Sequence, residues 1–431
     1  MEAPIRSQSD DGAGSASSSL RLAWALVALA IVLRIYRYLL NTPVWCDELW
    51  LLRNIVGKGF FEQLGPLTDV QAAPPLFLWL ERGMWLAFGP STYAMRFLPM
   101  LASCGVMLLL VPVGRRILSP QALPWAILLL GMSDAILNYT CDVKPYTTDS
   151  LLALAIPALF YFTGGWSLGW RLVLFTALAP VAIFLSYPGC FIYAGLFLAL
   201  LPNVWAMRAQ KRTWIGYVGL MLTTGLCFAL LVLGPVRAQR TAELNACWTD
   251  FPEWDRPWLV PFWSVEAVVR FLEHLWRPTG AAFVLAAALG WRSIWRRGLR
   301  TELLIIGVPA ALAMLAAWLH AFPFESRVAL YVAPCFALLI AEGIADVMAW
   351  ARRLRRAAGR EGDVVPRRGQ PMLLAQLAVL GILGVVIGSP LARTCYHVVA
   401  PAPRLTEENW PETATGDDIA PKTTAWNLRT N

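Results

Sequence analysis

Apolar runs close to the length of a bilayer core recur along this chain. They fall at roughly 20–40, 75–89, 94–114, 122–140, 148–163, 171–186, 188–207, 214–234, 279–295, 301–320, 327–350 and 371–392. The pattern predicts an all-α, polytopic integral membrane protein. The second run differs from the rest. Residues Pro74 to Trp85 are short for a span and carry the adjacent pair Glu81-Arg82, as a helix lying on a membrane surface does. The polar breaks decide its placement. With the N-terminus in the cytoplasm and 75–89 on the outer surface, Arg115-Arg116, the group Arg208, Lys211 and Arg212, the group Arg292 to Arg300, and the dense cluster Arg352 to Arg368 all fall inside. If 75–89 spans, they all fall outside. The tendency of Lys and Arg to stay cytoplasmic therefore predicts about eleven spans plus one external surface helix in the first loop. Arg34 and Arg37, near the outer end of the first span, run against the trend.

This topology divides the chain. Residues 1–19, rich in Ser, Gly and Asp, read as a disordered cytoplasmic N-terminus. Residues 20–234 form an N-terminal transmembrane catalytic module that includes the external loop 41–93. A Trp-rich external loop covers 235–277, further transmembrane helices cover 278–392, and a polar external tail covers 393–431. No internal repeat is visible.

Composition narrows the class further. The chain is 58% hydrophobic and only 15% charged, against about 25% charged in soluble domains. Its net charge of +8 is accounted for by the cytoplasmic Arg clusters, so no nucleic-acid partner is implied. The 21 Trp residues suit interfacial belts, and those of 235–277 read as interface anchors. Eight Cys without a CxxC spacing and three scattered His give no metal motif.

The candidate chemistry lies in the outer loops. Trp45-Cys46-Asp47-Glu48 follows the first span and sets two carboxylates at a membrane face, where ionisable groups are costly to keep. Arg96, Asp142, Lys144, Asp149 and Arg327 are assigned to the same side. Carboxylates beside cations suit one reaction class. A carboxylate deprotonates an acceptor hydroxyl, and Lys or Arg hold a lipid-linked phosphate as it leaves.

These residues also resemble a family. Trp45-Cys46-Asp47-Glu48 looks like the acidic motif in the first external loop of GT-C glycosyltransferases, nearest to protein O-mannosyltransferase-like enzymes and the bacterial enzyme that adds aminoarabinose to lipid A. Ala73-Pro74-Pro75-Leu76 resembles the family's xPPL approach to a helix. Phe88-Gly89 followed by Arg96-Phe97-Leu98-Pro99 resembles its FG and R-x-x-P elements. Asp142-Val143-Lys144-Pro145-Tyr146 resembles an E-x-K-x-Y element, and Phe322 to Arg327 an aromatic loop that ends in Arg. The likeness is concentrated in the first 160 residues. It implies a GT-C fold, a polyprenyl-phosphate sugar donor and transfer with inversion at the periplasmic face of a bacterial inner membrane. The family usually has a charged or His residue before PPL, where this chain has Ala73, so the phosphate contact passes to Lys144 or Arg96.

The site expected from this reading has Asp47 as general base and Glu48 orienting a substrate. Arg96, Lys144 and Arg327 contact the donor phosphate, and Asp142, Tyr146 and Asp149 line the substrate. Asp149 also suits a helix cap and Tyr187-Pro188 a turn. No cofactor is required, although the two carboxylates offer oxygens to a divalent cation. The partners are a lipid-linked sugar donor, a glycan, lipid or protein acceptor, and the bilayer. The rival class is a transporter or flippase of lipid-linked glycans, which should place charges near the bilayer midplane in broken helices. Cys46 and Cys141, each just before an acid, are candidates for a disulfide.

Overall fold

The structure is a computed structural model that describes residues 8–248, 250–360, 366–401 and 404. The helices, in chain order, are α1 (Gln8–Leu40), α2 (Cys46–Gly57), α3 (Pro75–Phe88), α4 (Thr92–Ile117), α5 (Leu123–Gly131), α6 (Asp134–Asn138), α7 (Tyr146–Phe162), α8 (Leu168–Leu185), α9 (Gly189–Ala206), α10 (Lys211–Leu231), α11 (Arg237–Gln239), α12 (Ala242–Cys247), α13 (Val260–Leu275), α14 (Phe283–Arg296), α15 (Arg300–Trp318), α16 (Ala333–Arg360) and α17 (Pro366–Val399). No strand occurs among the described residues. In a bilayer every backbone polar group must find a partner within its own segment, and helices achieve that.

Eight of these helical stretches are long and apolar enough to cross a membrane. Against the roughly eleven expected spans, the runs that become α5, α7 and α14 form helices of 9, 17 and 14 residues, shorter than those eight. Two sets of contacts mark the ends of the bundle. At one end Arg297 donates to the Ile117 carbonyl at 2.6 Å, the Ser119 amide donates to Glu342 at 2.8 Å, and Arg352 bonds Gln121. This is the Arg-rich end. At the other, Tyr38 donates to the Tyr93 carbonyl at 2.9 Å, Tyr187 to the Ala73 carbonyl at 2.8 Å, and Arg240 to the His320 carbonyl at 2.9 Å. Both ends of α3 belong to this second end, beside Ala73 and Tyr93, so α3 lies across the bundle end without spanning. Its inner side, with Phe77, Leu78 and Glu81, is buried against α2 and α4. Arg82 donates to the carbonyls of Ile55 and Val56 at the close of α2.

The run expected at 122–140 is broken into α5 and α6. Ser133 caps α6 by accepting the Ile136 amide at 3.4 Å, and the carbonyls freed at the end of α5 need partners. Arg34 supplies them. It is fully buried and donates to the carbonyls of Ala30, Leu130 and Gly131 and to the Ser103 hydroxyl. The cation that runs against the charge rule is thus an internal helix cap. Residues 8–19 also differ from expectation. They are helical and extend α1 toward the N-terminus, since extending an existing helix costs far less than nucleating one. The expected 393–431 tail starts later, because α17 runs to Val399; residues 402–403 and 405–431 lie outside the described residues. In the Trp-rich loop, Trp254 and Trp258 are exposed as interface residues. Trp276 is core and donates to the Leu129 carbonyl at 3.0 Å.

The placement of α3 is directly testable. Reporters fused before α1 and after Arg116 will read one side of the membrane, and a reporter after Thr92 will read the other. A Thr92 reporter that agrees with the N-terminal one would make α3 a span.

Candidate active site

Asp47 and Glu48 sit in the first turn of α2, where negative charge meets the positive end of the helix. Neighbouring helical residues diverge by about 100°, so the two acids cannot serve the same partners. They go separate ways.

Glu48 faces inward and is fully buried. Arg96, on the first turns of α4, grips it with two bonds, from Nε to Oε1 at 2.8 Å and from Nη2 to Oε2 at 2.6 Å. The Val143 amide adds a third at 3.2 Å. The remaining Arg96 nitrogen, Nη1, donates to Asn41 Oδ1 at 3.1 Å and to the Thr42 carbonyl at 2.6 Å. One ion pair therefore joins the end of α1, the start of α2, α4 and the loop before α7. Glu81 of α3 is also fully buried, and neither carboxyl oxygen has a hydrogen-bond partner. Burial, and then the Glu48 charge, push its carboxyl well above the usual range.

Asp47 is also buried and turns to a different set of partners. Its Oδ1 accepts from Lys144 Nζ at 2.8 Å and Gln71 Nε2 at 3.3 Å. Its Oδ2 lies 3.3 Å from Arg327 Nη2 and accepts from Tyr146 Oη at 3.4 Å. Lys144 also donates to Gln71 Oε1 at 2.5 Å. Burial alone would raise the Asp47 carboxyl. Lys144 and Arg327 outweigh it and hold the group below the ordinary aspartate range. Burial pulls the Lys144 ammonium down, with Asp47 opposing. Arg327 comes from the loop before α16 and remains 31% exposed at its side chain, so cationic surface beside Asp47 is open to a ligand.

Asp142 completes the cluster. It accepts from Trp45 Nε1 at 3.1 Å and Arg404 Nη1 at 2.6 Å. Burial and Glu48 raise its carboxyl, while Arg404 opposes them. The Trp45 ring lies between two guanidiniums, with Arg327 at 5.3 Å and Arg404 at 5.1 Å from its centroid, within cation–π range.

Seven of the eight expected residues thus meet in one network. Asp149 stands apart. It is buried in the first turn of α7, its Oδ1 has no hydrogen-bond partner, and among the described residues no hydrogen bond or ion pair ties it to Asp47 or Glu48. Tyr187, expected only as a turn residue, also pins the Ala73 backbone, together with Gln239. Cys46 and Cys141 are both buried, and no disulfide joins them. Sequence reasoning gave no role to Gln71, Tyr139 or Arg404. Gln71 was the easiest to find, two positions before Ala73 in the xPPL element. Arg404 follows Pro401-Ala402-Pro403 in a stretch with no helical period, which left no signal to read.

The carboxylates make a poor metal site. Both Glu48 oxygens are taken by Arg96, and those of Asp47 face Lys144 and Arg327, so a divalent ion would have to displace cations already in place. No cluster of three or more His, Cys, Asp or Glu able to hold a metal occurs among the described residues.

The fold has a counterpart among solved structures. The apo crystal structure of the Archaeoglobus fulgidus oligosaccharyltransferase superposes with a TM-score of 0.51 at 12% identity, over 87% of this chain and 56% of that one. This chain spans a little over half the length of that protein. The two share a fold of the oligosaccharyltransferase type. No family model and no curated protein matches the sequence.

Removing one partner of a buried ion pair strands the other charge, at a cost of about 3–5 kcal/mol. Arg96→Ala will therefore lower the melting temperature of the detergent-purified protein markedly, and Arg96→Met/Glu48→Leu will recover much of the loss. If Arg96→Ala melts like the wild type, Arg96 does not hold the site together.

Proposed function

We propose that this protein is an integral-membrane glycosyltransferase that moves a sugar from a polyprenyl-phosphate donor to an acceptor hydroxyl or amine, with inversion. The observation that carries the reading is Asp47, a largely buried carboxylate flanked by Lys144 and by the partly exposed Arg327 at the end of the bundle where α2 and α3 meet the spans. The fold likeness is compatible with it. In this reading Asp47 takes the acceptor proton as the acceptor oxygen or nitrogen bonds to the anomeric carbon. The bond from that carbon to the phosphate oxygen breaks on the opposite face, and the polyprenyl phosphate leaves with the electron pair. Lys144 and Arg327 take up its charge. The same two cations hold Asp47 in the empty site. A donor phosphate that shares them makes the carboxylate more basic as the donor arrives.

We assign Arg96 to holding Glu48, because its donors are already spent there and on Asn41 and Thr42. Asp142 and Tyr146 shape the wall beside Asp47. Charges gathered at one end of the bundle favour transfer chemistry over transport. With the Arg-rich end in the cytoplasm, the site faces the periplasm of a bacterial inner membrane. Cations already neutralise both carboxylates, and we propose that no divalent cation takes part.

Asp47→Asn keeps the shape and removes the base. Transfer by the purified protein will fall by about 10²–10⁴-fold while donor binding persists, and near wild-type transfer would end the general-base assignment. The pH profile provides a separate check. The acid limb of kcat/KM reports the free enzyme, so with Asp47 depressed it lies below about 3.9, the ordinary aspartate value. Lys144→Ala removes the main depressing charge, leaves the burial effect, and will move that limb to higher pH. A limb that stays in place would separate Lys144 from Asp47. Transfer will also survive exhaustive chelation of divalent metals, and loss of activity on chelation would overturn the metal-free reading.

A further inference from the structure

Beside Tyr139 lies a polar cleft of about 130 Å³ that the transfer chemistry does not use. Asp134, Asn138, Tyr139, His274, Arg277 and Arg393 line it, drawn from α6, the end of α13 and α17. Its charge is unbalanced. Asp134 is already engaged, accepting from Arg393 Nε at 3.2 Å and lying 2.8 Å from His397 Nδ1. Arg277 is exposed and has no carboxylate partner among the described residues. Arg37 donates to the Asn138 side chain at 2.8 Å and Arg404 to the Asn138 carbonyl at 2.5 Å, which brings two more guanidiniums against the wall. Inside the cleft, His274 Nε2 is buried without a hydrogen-bond partner. Burial, and then Arg277 and Arg327, hold its imidazole down at about 4, as expected for a ring in surplus positive charge. A buried polar atom without a partner costs free energy until something meets it.

We propose that this cleft is an anion subsite that binds a phosphate group at the membrane surface, carried either on a soluble phosphate ester or on a lipid headgroup. Arg277 and Arg393 supply charge-assisted donors, His274 Nε2 supplies a further bond, and Asn138 supplies a neutral contact. Arg suits this role because its planar fork matches phosphate oxygens. The occupant would lie one aromatic wall from the carboxylate. The Tyr139 ring packs edge-on against Tyr146 at 5.6 Å, and Tyr146 bonds Asp47. The subsite goes beyond the transfer reaction and stands or falls independently of it.

Three His in the whole chain make the test specific. Full-length protein carrying 13C at the imidazole Cε1 positions is placed in phosphatidylcholine nanodiscs, with signals assigned by His→Gln variants. Inorganic phosphate is then titrated at constant ionic strength. The expected result is a saturable shift of the His274 and His397 signals, with His320 unmoved because it packs against Phe251 and the Pro252 carbonyl, away from the cleft. Arg277→Gln, at an exposed position, will weaken the apparent affinity by about tenfold or more. A parallel sample in nanodiscs containing phosphatidylglycerol without added phosphate separates the sources. If the His274 shift is already present there and phosphate adds nothing, the occupant is a lipid headgroup; if it appears only with phosphate, the occupant is a soluble ester. No shift of His274 in either sample, or a shift that persists unchanged in Arg277→Gln/Arg393→Gln, would overturn the subsite.

Discussion

Arg96 and Glu48 meet with no water around them, one 4% exposed and the other not at all. In a low-dielectric interior neither charge is tolerable alone, and the attraction between them repays desolvation only when geometry and further bonds are good. Here two parallel bonds join the pair, and Asn41, Thr42 and Val143 satisfy the remaining atoms. Those three residues belong to two different loops. The pair therefore dictates where the chain turns after α1, how α2 starts, and how the loop before α7 crosses it. Without that constraint α2 would be a short amphipathic helix free to drift on the membrane surface, and Asp47 would drift with it.

The pair also explains why two adjacent acids are kept. One helical step turns Asp47 away from Glu48 and toward Lys144, Arg327, Gln71 and Tyr146. The inward acid spends its charge on architecture. The second acid meets the partly exposed Arg327, on a helix whose orientation Glu48 has already set.

Much of this was legible in the sequence because membrane proteins segregate charge strictly. Loop charges assigned to one side by the Arg clusters did converge, and α3 lies on the bundle end as its short charged run suggested. Interior arrangements were less legible. The break between α5 and α6 was hidden in an apolar run, since hydropathy does not register a Ser cap or the Arg34 guanidinium that closes α5 from another helix. Arg96 reads as a phosphate ligand from the family resemblance and its place among the outer-loop charges, and only geometry reveals that its donors are spent. Arg404 reaches Asp142 from 262 positions away, and no local pattern encodes a contact of that separation.

Ala73 raised the sharpest difficulty for the sequence, because the position before Pro74-Pro75 carries no charge. The structure supplies an ammonium to that neighbourhood from another loop. A tight turn, with the Lys144 amide donating to the Asp142 carbonyl at 2.7 Å, aims Lys144 at Gln71, two residues before Ala73. Ala73 itself is held through its backbone by Tyr187 and Gln239. A side chain is thus not needed at position 73 to fix the loop or to charge it. Electrostatics depends on where a charge sits, not on which residue of the chain brings it, so an uncharged residue at position 73 is compatible with a cation beside the carboxylate. Lys144 bonds both Asp47 and Gln71, and Arg327 adds a second cation to the same carboxylate.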